Sequence, residues 1–224
     1  MTSSTIIKIC GITTLQDALT AAEAGAQMIG LNFYKKSPRY IDPENARTLT
    51  VAMREQLGAS CPLFVGIFVN EIVGRISITM EQVGLNFAQL SGDESVEMLR
   101  ELRGIGYKGL RPRNEREAIE DAKYFGGVPC DSRIPTLLVD AHNPALYGGT
   151  GERASTEIAL AVKAVTPRMM LAGGLTPDNV GGVVGEIHPW GVDVASGVEG
   201  ETPGIKDAGK VKAFVQAVKA ADNG

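Results

Sequence analysis

Hydrophobic and polar positions alternate along this chain on two periods. Short apolar runs recur, each followed by a glycine-rich or polar turn and then by apolar residues at helical spacing. The runs predict strands at Ile6–Cys10, Met28–Phe33, Leu63–Phe68, Phe87–Leu90, Lys108–Arg111, Thr136–Asp140, Met169–Ala172 and Gly191–Val194. Between them lie helical patterns such as "LQDALTAAEAG", "PENARTLTVAMREQL", "SVEMLRELRGIG" and "NEREAIEDAKYF". The first ends on Gly25, where a capping glycine is expected. "TPDNVGGVVGEI" opens with Thr176-Pro177, an N-cap and first-turn signature, but its three glycines weaken it as a helix. Eight alternations without a linker favour a closed (β/α)8 TIM barrel, one domain over residues 1–224, above an open doubly wound sheet. No GxGxxG follows the first strand, which weakens a nucleotide-binding reading further.

Composition narrows the partners. Hydrophobic residues make up 44% and charged residues 21%, with a net charge of −4 and no basic tract. That argues against nucleic acid or an anionic membrane surface. Three widely spaced cysteines in no ligand-like pattern fit a reducing compartment. The start "MTSSTIIKICG" has no basic region followed by a long apolar run, and no stretch is long enough to span a bilayer. The expectation is a soluble cytoplasmic protein, monomer or homodimer.

Strand alternation then selects chemistry. In such a barrel, functional groups sit at the C-terminal ends of the strands. Cys10 closes the first strand, Asp140 closes the sixth on the face of Leu138, and Asp193 points inward from the eighth. Asn32, Gln89 and Arg111 come near the ends of strands two, four and five. Cys10 is either a small core hydrophobe or a base whose thiol is tuned by a nearby cation. Asp140 is either a helix-cap aspartate or an acid held protonated by desolvation. Lys8 lies one layer below Cys10 and needs a counter-ion. Barrel closure pairs the first strand with the eighth, so Asp193 is the expected partner. That pair either fixes packing and register or also biases Cys10 toward thiolate.

Gly173-Gly174 and Ser196-Gly197 follow strands seven and eight, the positions where these barrels often bind phosphate. Simple turn chemistry is the alternative. Arg39, in the loop after strand two, either holds a carboxylate bidentately or belongs to a solvated basic loop. His142 and His188 are the only histidines, so no histidine-rich metal site is expected. Cys61 and Cys130 read as structural.

The motifs "KICGIT", "GLNFYKKSPRYI", "VGIFVNE", "AQLSGDE", "LLVDA", "YGGTG", "LAGGLTPDNV" and "PWGVDVASGVEGETPGIKD" run from residue 8 to residue 207. Together they resemble the phosphoribosylanthranilate isomerases of tryptophan biosynthesis. "KICGIT" with "GVDVASGVE" is specific, whereas "YGGTG" alone is not. The resemblance implies a cofactor-free and metal-free barrel acting on a small phosphorylated substrate by an Amadori rearrangement. By the same matching Cys10 would be the general base, Asp140 the general acid, Arg39 the anthranilate-carboxylate ligand, and the two glycine turns the phosphate site. Two rivals are an isomerase of the related histidine-pathway aminoaldose and a non-catalytic barrel that binds phosphate ligands. Departures from the family pattern are Ser91 in place of histidine, Gly109, Pro112, and a segment after Gly151 without the usual aromatic residue. They bear on efficiency and loop order rather than on reaction type.

Overall fold

Eight parallel strands close on themselves. The computed structural model describes residues 4–140 and 151–224. The strands are β1 (Ile6–Cys10), β2 (Met28–Asn32), β3 (Leu63–Phe68), β4 (Phe87–Leu90), β5 (Gly106–Leu110), β6 (Leu137–Asp140), β7 (Met169–Ala172) and β8 (Gly191–Val194). Each pairs in parallel with the next, and β8 returns to β1 with Lys8 opposite Asp193. The helices are α1 (Leu15–Ala24), α2 (Pro43–Leu57), α3 (Val73–Val83), α4 (Val96–Glu101), α5 (Glu115–Gly126), α6 (Gly151–Val165), α7 (Val180–Ile187) and α8 (Ala208–Asp222). The fold is a (β/α)8 barrel. No helix among the described residues is long and apolar enough to cross a membrane.

The pleat divides each strand between two cores. Met28, Val65, Phe87, Tyr107, Leu138 and Met170 pack together inside the barrel. Ile7, Ile9, Ile29, Leu31, Val192 and Val194 pack outward against helical residues such as Ala18, Leu49, Val211 and Phe214. This burial of apolar surface on both faces explains why the strands read as near-continuous apolar runs. Thr5 joins the two ends of the described chain: its N–H and hydroxyl donate to the Asp222 carboxylate at 2.8 and 2.6 Å.

Local signals set most helix ends. Thr14, Asp42, Ser95, Asn114 and Asp207 accept backbone N–H groups as N-caps. Gly25 takes the left-handed conformation that stops α1. Several boundaries differ from the sequence pattern: β6 starts at Leu137 rather than Thr136, and α4 stops at Glu101, short of the "SVEMLRELRGIG" pattern. β2 ends at Asn32, whose amide turns to organise the following loop. β5 covers Gly106–Leu110 rather than Lys108–Arg111, because Pro112 disfavours extending the ladder past Leu110. α7 begins at Val180, not at Thr176-Pro177. The Asn179 amide accepts the Thr176 N–H at 2.8 Å and donates to the Gly174 carbonyl at 3.0 Å, holding that segment as a turn. His142 and residues 147–150 of the "YGGTG" motif lie outside the described residues.

Candidate active site at the mouth of the barrel

Inside the barrel, Lys8 is fully buried and donates to the Asp193 carboxylate at 2.9 Å. Burial works to lower its pKa. The carboxylate of Asp193, helped by Cys10 and Tyr107, outweighs that and holds the ammonium well above its usual value. On β5 the buried Tyr107 hydroxyl donates to Gln89 at 2.9 Å, and Gln89 donates in turn to the Ser91 hydroxyl at 3.0 Å. These inward polar groups are paired, as a low-dielectric interior requires.

One layer higher, Cys10 stands at the C-terminal end of β1 and is partly exposed. Gly30 lies opposite it on β2, and a Cβ there would come to 2.8 Å from the Cys10 sulfur. Gly11 follows at a left-handed φ of +71°, and any side chain on it would overlap Arg39. Burial and the Asp193 carboxylate push the Cys10 thiol up, while Lys8 and Lys206 pull it down without prevailing. Of the two readings of the Lys8–Asp193 pair, packing or bias of Cys10 toward thiolate, the second has only one of the pair's two charges on its side. Lys8 acts in that direction, but burial and the Asp193 carboxylate beside it act against it and prevail.

Asp140 closes β6, three strands from β1 around the ring, so it faces Cys10 across the mouth. Arg111 approaches it with Nε at 3.6 Å from Oδ2, the arginine side chain being 71% exposed. Asn32 does not point chemistry into the mouth. Its amide donates to the Ser37 hydroxyl at 3.1 Å and accepts the Tyr34 N–H at 2.9 Å, shaping the loop that carries Arg39.

Arg39 finds a partner the sequence did not offer. Its Nε and Nη2 donate to the two oxygens of Glu199 at 2.6 and 2.8 Å, a bidentate fork. Lys206, its side chain fully buried, donates to the same carboxylate at 2.9 Å and to the Ala195 carbonyl at 3.0 Å. Burial alone would raise the Glu199 pKa, but the bonds from Arg39 and Lys206 hold it below the usual carboxylate range. Glu199 and Lys206 were not among the residues expected at the site, although both lie inside the motif "PWGVDVASGVEGETPGIKD". The usable signal was an acidic residue and a lysine in the loop directly after the eighth strand, at the catalytic end of the barrel.

The glycine turns are contiguous. Gly173 and Gly174 both have positive φ, at 97° and 64°. Ser196 and Gly197 begin a short 3-10 turn after β8. A Cβ on Gly197 would overlap the Leu175 carbonyl, so the two turns touch only because the residue is glycine. Cys61 precedes β3 and Cys130 lies before β6, both away from this mouth. Among the described residues no cluster of three or more His, Cys, Asp or Glu side chains could hold a metal ion.

Residues 7–217 match the family model described as N-(5′-phosphoribosyl)anthranilate (PRA) isomerase. The chain belongs to the phosphoribosylanthranilate isomerase family. An N-(5′-phosphoribosyl)anthranilate isomerase from Geobacter sp. (strain M21) is 43% identical, the match covering 96% of this chain and 98% of that one. The crystal structure of phosphoribosyl anthranilate isomerase from Thermotoga maritima superposes with a TM-score of 0.82 at 36% identity, covering 96% and 99% of the two chains. Another solved isomerase, in complex with reduced 1-(o-carboxyphenylamino)-1-deoxyribulose 5-phosphate, gives 0.80 at 34% identity over 96% and 99%. The isomerase family thus accounts for nearly the whole chain, and the chain is an isomerase.

Proposed function

We propose that this protein converts N-(5′-phosphoribosyl)anthranilate to 1-(2-carboxyphenylamino)-1-deoxyribulose 5-phosphate in tryptophan biosynthesis, with Asp140 as general acid and Cys10 as general base. The observation that carries this reading is the placement of Cys10 and Asp140 on inward positions at opposite sides of one barrel mouth, in a chain matching the isomerase family over residues 7–217. Asp140 protonates the furanose ring oxygen, which leaves C1 and opens the ring to an iminium. Cys10 thiolate then removes the proton on C2, and the electron pair of that C–H bond moves toward the iminium nitrogen. The resulting enolamine tautomerises to the ketone. Acid and base each contribute about 10²–10⁴-fold.

The substrate is an anion at both ends. Its phosphate fits the adjoining turns at Gly173–Gly174 and Ser196–Gly197, where glycines at positive φ and a close approach to the Leu175 carbonyl leave the backbone bare. Its carboxylate fits beside Arg39, whose Nη1 has no partner among the described residues while Glu199 holds the other edge of the guanidinium. The relative solved with reduced product analogue supports a ligand of this class.

The deciding assay follows loss of anthranilate-type fluorescence from freshly made substrate, with the histidine-pathway aminoaldose run beside it. The wild-type chain turns over the anthranilate substrate, and Cys10→Ala and Asp140→Ala each lose at least about a hundredfold in kcat while keeping the fold. Near-wild-type rates in both variants, or turnover of the other aminoaldose alone, would overturn the assignment.

A further inference from the structure

The charges around Cys10 fall into two groups that do not balance alike. On β1 and β8, Lys8 and Asp193 form a one-to-one pair with no net charge. In the loops above, two cations, Arg39 and Lys206, share the single carboxylate of Glu199. Among the side chains bonded to one another, that cluster carries one more positive charge than negative. The buried Asp17 carboxylate takes the Lys206 backbone N–H at 3.1 Å rather than either cation's side chain. The side chains of Arg39, Lys206 and Glu199 are only 23%, 0% and 6% exposed. A buried cation without its own counter-ion is costly, so the arrangement favours an anion close by.

The position of that charge is set by the β1–β8 seam. Val194 pairs with Ile9, and the next carbonyl along β8, that of Ala195, accepts the Lys206 ammonium at 3.0 Å. The ammonium therefore stands level with Cys10, the residue after Ile9. Arg39 reaches the same place from the other side, its side chain lying against Gly11. An ammonium has three donors, and Lys206 uses one on Ala195 and one on Glu199, with no partner for the third among the described residues.

We propose that Lys206 is the positioning residue for the Cys10 thiolate: its ammonium, held by Glu199 and Ala195, supplies the unmatched positive charge that the thiolate neutralises. The groups facing Cys10 are Lys8 on its own strand, Asp193 on β8, Tyr107 on β5, Arg39 in the loop after β2, Lys206 ahead of α8 and, across the mouth, Asp140 on β6 with Arg111 beside it. Burial outweighs Glu199 and leaves Lys206 below its ordinary pKa, while a charged Cys10 acts to raise it. The thiol and the ammonium thus ease each other's ionisation, and the proton released goes to solvent before substrate seals the mouth.

The role of Cys10 as base enters only the rate readout below; thiol alkylation tests the inference without it. The experiment measures, on the full chain without substrate, the pH dependence of Cys10 alkylation by iodoacetamide, read by mass spectrometry of the Cys10 peptide. In that reaction the thiolate sulfur forms a bond to the CH₂ carbon and iodide leaves. Lys206→Met should move the midpoint up by about one pH unit, roughly tenfold less thiolate at neutral pH. Lys206→Arg should restore it to within about 0.3 unit, and the acidic limb of kcat/KM should follow both shifts. Glu199→Gln leaves both cations and removes their shared anion, so it should move the midpoint down. A merely structural role would not give these opposite signs. An unmoved midpoint in Lys206→Met, or an upward shift in Glu199→Gln, overturns the proposal. So does a rise in KM alone with unchanged alkylation, which would assign the charge to the substrate's carboxylate. Should Lys206→Met fail to fold, the sign of the Glu199→Gln shift decides.

Discussion

Two lysines sit in the middle of strands here, both nearly fully buried and both paired with a carboxylate, yet they belong to different parts of the molecule. Lys8 of β1 points into the barrel and meets Asp193 on the adjacent strand at 2.9 Å. Lys108 of β5 points outward, where it meets Glu94 from the loop after β4 at 2.7 Å and lies over the Phe125 ring of α5. Glu94 is also a knot for that region, accepting the Asn70 N–H at 2.7 Å and the Gly92 N–H at 2.9 Å, while Lys108 donates to the Gly92 carbonyl. One residue of pleat separates the two roles. An inward lysine enters the electrostatics of the mouth; an outward one fastens loops to the barrel wall. A buried ion pair is therefore informative about function only once its side of the sheet is known.

Substitution can break this contrast, and the largest effect is expected at Asp193. Asp193→Ala leaves Lys8 buried without its counter-ion and should cost about 3–5 kcal/mol in urea unfolding. Turnover per folded molecule should fall by about a hundredfold as the layer beneath Cys10 shifts. Glu94→Ala comes next. It strips the carboxylate from Lys108 and an acceptor from two backbone N–H groups, a loss of about 3 kcal/mol. Turnover per folded molecule should stay within about twofold, because Lys108 lies on the outer face of β5 and none of these groups bonds to Cys10, Asp140 or Arg39. Equal loss of turnover in the two variants would erase the distinction. The smallest change is expected at the exposed pair of Arg113, just before the α5 N-cap, and Glu117 in its first turn, 3.0 Å apart with the arginine 83% exposed. Glu117→Gln should alter unfolding by no more than about 0.5 kcal/mol, the scale against which the two buried pairs are judged.

The barrel and the Lys8–Asp193 pair were legible because both follow from a period of two. Alternation put Lys8, Cys10, Asp140 and Asp193 on inward positions, and closure of the ring made β1 and β8 neighbours. The same rule has no purchase on loops. Glu199 and Lys206 stand in a turn without periodicity, and their partner Arg39 is 160 residues from Glu199 in sequence. Nothing local marks such a contact. The direction of the Cys10 thiol was also beyond the sequence, since it depends on how far burial and Asp193 outweigh two cations. Thr176-Pro177 misled for a simpler reason. A good capping dipeptide lost its place to the Asn179 side chain, which made the turn first.

The loop between β8 and α8 is irregular in backbone but tied at three places to the start of the barrel. Glu199 holds Arg39, the Lys206 N–H donates to Asp17 at 3.1 Å, and the Gly204 carbonyl accepts the Thr13 hydroxyl at 2.8 Å. Counted in time rather than energy, this loop cannot swing by itself. Opening it means releasing all three ties together, so its hydrogen-bonded amides, such as those of Gly200 and Asp207, exchange with solvent only when those ties let go.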